Sequence, residues 1–287
     1  MKHGDKTAAH IMHKYLAPIS KYFMTFSQPN ANLQEHYLLF EYLALQLPVN
    51  TLVLSIVFDD MRETGIRPSL VEAFNNQVVN SRLHKTRIGR KMISLQGNQN
   101  SIENDFEALE NTFQEQSEKY LNYKLGKFLK IWELRPTFRG RILTNLYFLR
   151  NWIFSITPSS VRKIIPGRYR LNLLSLNEIL NTSVEQGIKV LIYIVPIRDD
   201  VKIPYDMSQY VKFKSEIQTI SKKSGVRYAN LESLVPAELW GVKPNTTFDS
   251  ELELDFMHFQ AGGHQLLADK LHEELKALWS EDLDHGF

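Results

Sequence analysis

Two stretches limit what this chain can fold into more than any others: residues 51–58, TLVLSIVF, and residues 188–195, IKVLIYIV. Both are almost continuously apolar and rich in β-branched residues. They are too short to cross a membrane and lack the polar alternation of a strand with one wet face. Strands buried on both faces read this way, and such strands belong to parallel sheets with helices packed on each side. The second run, ended by Pro196, is the better candidate for the central strand.

The neighbouring segments agree. Residues 7–16 have helical spacing, with Ala8, Ile11, Met12 and Tyr15 on one face, and residues 32–47 form a strong amphipathic helix stopped by Pro48. Residues 170–186 and 205–224 read as helices closed by Gly187 and Gly225, each suited to the left-handed position after a helix end. Residues 226–231 suit a short strand and residues 261–278 a last helix. Residues 22–26 are apolar and aromatic and are expected to form a strand, broken by Pro29 and Asn30. Helices alternating with strands imply parallel βαβ units. The expected class is α/β, a three-layer α/β/α sandwich with a mainly parallel sheet, in one domain over residues 1–287.

The middle of the chain breaks this rhythm. Residues 101–132 are helical in pattern, acidic at the start and more basic towards the end, and Pro136 stops them. A second helical stretch, residues 138–154, is apolar and aromatic. Residues 98–165 are read as a helical insertion, a cap or an interface through which a partner protein or a second copy could dock. No acidic residue occurs from position 134 to 177, while Arg135, Arg139 and Arg150 alternate with Tyr147, Trp152 and Phe154. Such a stretch packs against the acidic helix at Glu103–Glu118 or lies on an anionic membrane surface. Packing is the preferred reading.

Composition removes several function classes. A net charge of +2 gives no global field for nucleic acid, so no nucleic-acid partner is expected. With no cysteine there is no disulfide, thiolate metal site or cysteine nucleophile. The opening residues MKHGDKTAAH contain no apolar signal core, so the chain is expected to be soluble, cytoplasmic by default and envelope-associated if it extends upstream.

In a parallel sheet, sites form where loops leave the carboxyl ends of strands. Four segments qualify: residues 27–31, 58–67, 196–205 and 251–262. The last is the most informative, reading Asp255-Phe-Met-His258-Phe-Gln-Ala-Gly-Gly263-His264 and expected to be a loop. A carboxylate three residues before a histidine can hold one ring nitrogen and leave the other as a general base. Asp59, Asp60, Arg62 and Arg67 could bind an anionic or hydroxyl-rich ligand, or form a surface ion-pair cluster. Arg198, Asp199, Asp200 and Tyr205 are expected at the same edge. The acidic pairs lack a clear ligand set, so neither a metal nor another cofactor is expected.

With these residues in view, the chain resembles the SGNH (GDSL-type) hydrolase superfamily. That family's last block is Asp-x-x-His followed by a Gly-His and a leucine-rich helix, which Asp255, His258, Gly263, His264 and Leu266 to Ala268 match. Its first block, Gly-Asp-Ser before a helix, corresponds to Gly4-Asp5-Lys6-Thr7; the second falls at Asn30 and Asn32, and the third at Asp59-Asp60. The resemblance implies an O-acyl esterase or acyltransferase acting on a glycan or small ester. It assigns catalysis to Asp255 and His258, with Thr7, one residue beyond the serine position, as the candidate hydroxyl; the candidate substrate-binding residues are Asp5, Lys6, Asn30, Asn32, Asp59, Asp60, Arg62 and Arg198. Lys6 stands where the family has its serine, so the alternative is a degenerate member that binds a glycan or a partner without turnover. The family's first strand is also missing before Gly4, and a strand from elsewhere would have to fill its place.

Overall fold

The computed structural model describes residues 6–26, 31–97, 161–244 and 252–280. The expected insertion over residues 98–165 lies almost wholly outside them. The chain is a mixed helix-and-sheet fold with a three-stranded parallel sheet. Helix α1 (Ala8–Leu16) and α2 (Leu33–Gln46) precede β1 (Thr51–Ile56), and α3 (Gln77–Lys85) and α4 (Arg87–Gly97) follow it. Then come α5 (Pro166–Glu185), β2 (Lys189–Ile194), α6 (Met207–Lys223) and β3 (Arg227–Asn230). An antiparallel hairpin, β4 (Trp240–Pro244) and β5 (Leu252–Phe259), leads into the last helix α7 (Ala261–Ser280).

Strand β2 is central, as its run of apolar residues requires, with β1 and β3 parallel on either side. Alternate side chains leave opposite faces of a strand. Leu54, Ile56, Val190, Ile192 and Ile194 enter one core with Leu38 of α2, Leu176 and Ile179 of α5 and Phe213 of α6. Leu191 and Ala229 enter another, with Met12 of α1 and Leu267 and Leu271 of α7. Leu191 and Ile192 are both fully buried, each worth about 1.5–3 kcal/mol relative to exposure.

Side-chain contacts set the direction of the α1–α7 layer. Trp279 Nε1 donates to Thr51 Oγ1 at 3.1 Å, and Lys189 Nζ donates to the Leu278 carbonyl at 3.3 Å. The end of α7 thus lies over the strand starts, and its beginning lies at the sheet's carboxyl edge. Tyr15 donates to Asp269 at 2.6 Å and the Lys21 ammonium stands over the Trp279 ring, so α1 runs in the same sense as α7. Thr7, the N-cap of α1, therefore sits at the carboxyl-edge end too.

The expected strand over residues 22–26 is absent. A short 3-10 turn, Ala17–Ile19, ends with Ser20 in the left-handed region at φ 57°, where the amides of Ser20 and Lys21 bond back to the carbonyls of Ala17 and Leu16. This closure turns the chain away from the helix axis. Of the segment that follows, Phe23 alone packs inward, and no ladder partner exists for it among the described residues. Without a partner, β propensity is not enough to make a strand.

Candidate functional site

Asp255 and His258 do not lie on a free loop as expected. They belong to β5, at a place where its pairing with β4 slips. Trp240 pairs with Phe259 and Val242 with Leu254, so two residues of advance on β4 correspond to five on β5. The extra residues form a bulge, and the bulge contains the Asp255-Phe-Met-His258 segment. Bulges unpair the backbone locally and re-aim side chains. The freed amide of His258 donates to Asp255 Oδ1 at 3.1 Å, and His258 Nδ1 lies 3.1 and 2.9 Å from the two oxygens of the same carboxylate. Asp255 is buried, whereas the His258 side chain is 82% exposed. An ionised carboxylate accepts only, so Nδ1 must carry its hydrogen and the outward Nε2 is the basic nitrogen.

The hairpin is fastened at its base. Trp240 is buried, donates from Nε1 to the Val235 carbonyl at 3.0 Å and meets Phe259 edge-on. Gln260 donates from Nε2 to the Trp240 carbonyl and from its amide to that of Leu239. Gly262 and Gly263 allow α7 to begin directly against this base. A Cβ at Gly263 would fall 2.8 Å from the Phe259 side chain, and one at Gly262 2.8 Å from Leu239. The Gly-Gly pair was visible in the sequence; the packing role of Trp240 and Gln260 was not, because nothing in residues 236–244 announces a strand.

Arg198 ties the loop after β2 to this hairpin. The guanidinium is buried, bonds Asp200 in a two-point grip at 2.6 and 2.9 Å, and donates from Nη1 to the Gly241 carbonyl at 3.0 Å. Asp200 raises the Arg198 pKa further, with the Asp255 carboxylate adding a smaller share, and Arg198 in turn lowers that of exposed Asp200.

The other sequence-predicted residues occupy structural positions. Asn32 is buried and caps α2, accepting from the amides of Gln34 and Glu35 and donating to the Gly65 carbonyl, while Glu35 returns a bond to its amide. Asp59 accepts from Arg62, Arg162 and the Tyr205 hydroxyl, the last at 3.0 Å. Arg62 also donates to the Lys163 carbonyl at 2.8 Å. Asp60 Oδ2 accepts the Val57 amide, closing the turn after β1. Asp60 as a residue is only half-buried, yet desolvation of its carboxyl pushes its pKa up to about 8. Lys6 and Thr7 are exposed, and Thr7 Oγ1 accepts the His10 amide at 3.3 Å. Asp5 and Asn30 lie outside the described residues.

Thr7, the dyad and the loops after β1 and β2 thus share one end of the fold. Ile194, Phe58, Tyr205 and Tyr210 close the strand ends, leaving a void of about 10 Å³. No group of three or more acidic or histidine side chains fit to hold a metal ion occurs among the described residues. Comparison with protein-family models, with curated proteins and with solved structures finds no match for this chain.

Proposed function

We propose that this chain is an SGNH-hydrolase-like three-layer α/β/α domain that transfers or hydrolyses an O-linked acyl group on a glycan or other hydroxyl-rich ester. The observation that carries the reading is the dyad: a buried carboxylate holds Nδ1 of an exposed imidazole and leaves Nε2 facing solvent at the carboxyl edge of a parallel sheet. A histidine held in that tautomer presents Nε2 as a general base. His258 takes the proton of an attacking hydroxyl as that oxygen adds to the ester carbonyl, and returns it to the leaving alkoxide. Asp255 keeps the tautomer and balances the imidazolium charge.

Thr7 supplies the hydroxyl in this scheme. Its oxygen accepts the His10 amide while its own hydrogen stays available to donate.

The test is hydrolysis of p-nitrophenyl acetate by purified protein. His258→Ala should lower the rate about a hundredfold or more, and Thr7→Ala should remove the burst of acyl-enzyme formation. Equal rates from the wild type and His258→Ala would rule out the esterase reading.

A second reading is favoured by Lys6 in the serine position and by the internal commitments of Asn32 and Asp59. In it the domain binds the acylated glycan and does not turn it over. Saturable binding of an acetylated oligosaccharide, with no acetate released, would select it.

A further inference from the structure

We propose that the end of α1 and the segment after it form a docking surface for an anionic lipid membrane. The apolar part is the run that failed to become a strand. Phe23 anchors it in the core, while Ile19, Tyr22, Met24 and Phe26 project outward with 53, 79, 60 and 43% of their surface exposed. Four large apolar side chains within eight residues is a dense exposure for a soluble surface. Beyond Ile19 they project from a segment with neither helix nor strand, and a deformable headgroup layer can fit such an irregular set of side chains.

Charge identifies the occupant. From Lys6 to Gln34 the sequence contains no aspartate or glutamate. The exposed face of α1 carries His10, His13 and Lys14, and the His13 and Tyr22 rings lie 6.2 Å apart, which joins the basic face to the apolar run. Lys6 stands close enough to Lys14 to lower its pKa, two ammonium groups drawn together on one surface. Lys21 sits beside the run over the Trp279 ring. Asp269, on the facing helix α7, is engaged by Tyr15 and Gln265. A surface that is apolar at its centre and basic at its rim matches the boundary between acyl chains and anionic headgroups. The contact is peripheral, since no helix of the described residues is long and apolar enough to cross a membrane. The apolar part of the patch lies towards the strand starts, where Lys21 meets Trp279 at the end of α7.

Co-sedimentation of the purified chain with phosphatidylcholine vesicles, with and without roughly 30% phosphatidylserine, tests the surface. The wild type should pellet with the anionic vesicles and remain in solution with the neutral ones. The triple variant Tyr22→Ser, Met24→Ser, Phe26→Ser should bind about tenfold or more weakly, with its circular dichroism melt unchanged because these side chains are exposed. Lys14→Glu should weaken binding about fivefold or more. Wild-type protein left in solution with both vesicles, or a triple variant that pellets as well as wild type, would overturn the proposal. Equal capture on soluble polyglutamate would do the same, since it would make the surface a general polyanion site.

Discussion

Asp60 shows how one residue can be chosen for its backbone and still leave an electrostatic mark. Its carboxylate takes the Val57 amide and shapes the turn that leaves β1, but burial disfavours the charge and sets its pKa at about 8, well above the ordinary 3.8. The sign follows from proton counting. Between about pH 4 and pH 8 the folded chain holds a proton here that the unfolded chain has released. Stability from this residue is therefore fully present below the unfolded value and falls as pH rises towards 8, then levels off. Asp60→Asn keeps an oxygen for the Val57 amide and cannot ionise. The variant should melt close to wild type near pH 4 and increasingly above it up to pH 8, with no further gain beyond. Melting temperatures measured across that range check this, and a constant difference at every pH would show that the carboxyl is ionised in the fold.

At the scale of elements, the decisive piece is the junction of β5 and α7. The bulge positions Asp255 and His258, and its geometry depends on how closely the helix starts against Phe259. Gly263→Ala places a methyl 2.8 Å from the Phe259 side chain. Overpacking of this kind costs about 1–3 kcal/mol. It should lower the melting temperature and also loosen the dyad, lowering kcat of the proposed ester hydrolysis more than it changes KM. Urea unfolding and steady-state kinetics on one preparation check both; full stability with full kcat would mean that the junction gives freely. This element also shows what was legible beforehand. The Asp255–His258 pair was plain in the sequence because it is a local pattern. The two buried strands were plain because continuous apolar runs of six to eight residues have few other uses. The hairpin was missed because its first strand, WGVKP, has neither alternation nor length, and its existence depends on long-range pairing with β5. Residues 22–26 erred the other way, with strand composition and no strand to pair with. Asn32, Asp59 and Arg198 carried the right chemistry for ligand contacts. Their partners, Gly65, Tyr205 and Gly241, are tens of residues away in the chain, and only the fold reveals them.

The whole molecule is organised by its central sheet, which sends consecutive residues of β2 into different cores. If the cores are separate layers, energetic coupling should follow the layer and not the distance along the chain. Met12 and Leu271 both lie in the α1–α7 core, whereas Ile217 lies in the other core. Met12→Ala and Leu271→Ala each remove a well-buried side chain and should each cost about 2–5 kcal/mol, with Ile217→Val costing about 0.5–1.5 kcal/mol. Combined, the first two share one space, because the second truncation enlarges a cavity the first has already opened. Their double variant should depart from additivity by about 0.5–3 kcal/mol. Leu271→Ala combined with Ile217→Val should add to within about 0.5 kcal/mol, because the two side chains belong to different cores. Equilibrium urea unfolding of the five variants measures both cycles against the wild type. Coupling between the two cores as large as coupling within the α1–α7 core would mean that they relax as one, and the proposed three-layer arrangement would have to be given up.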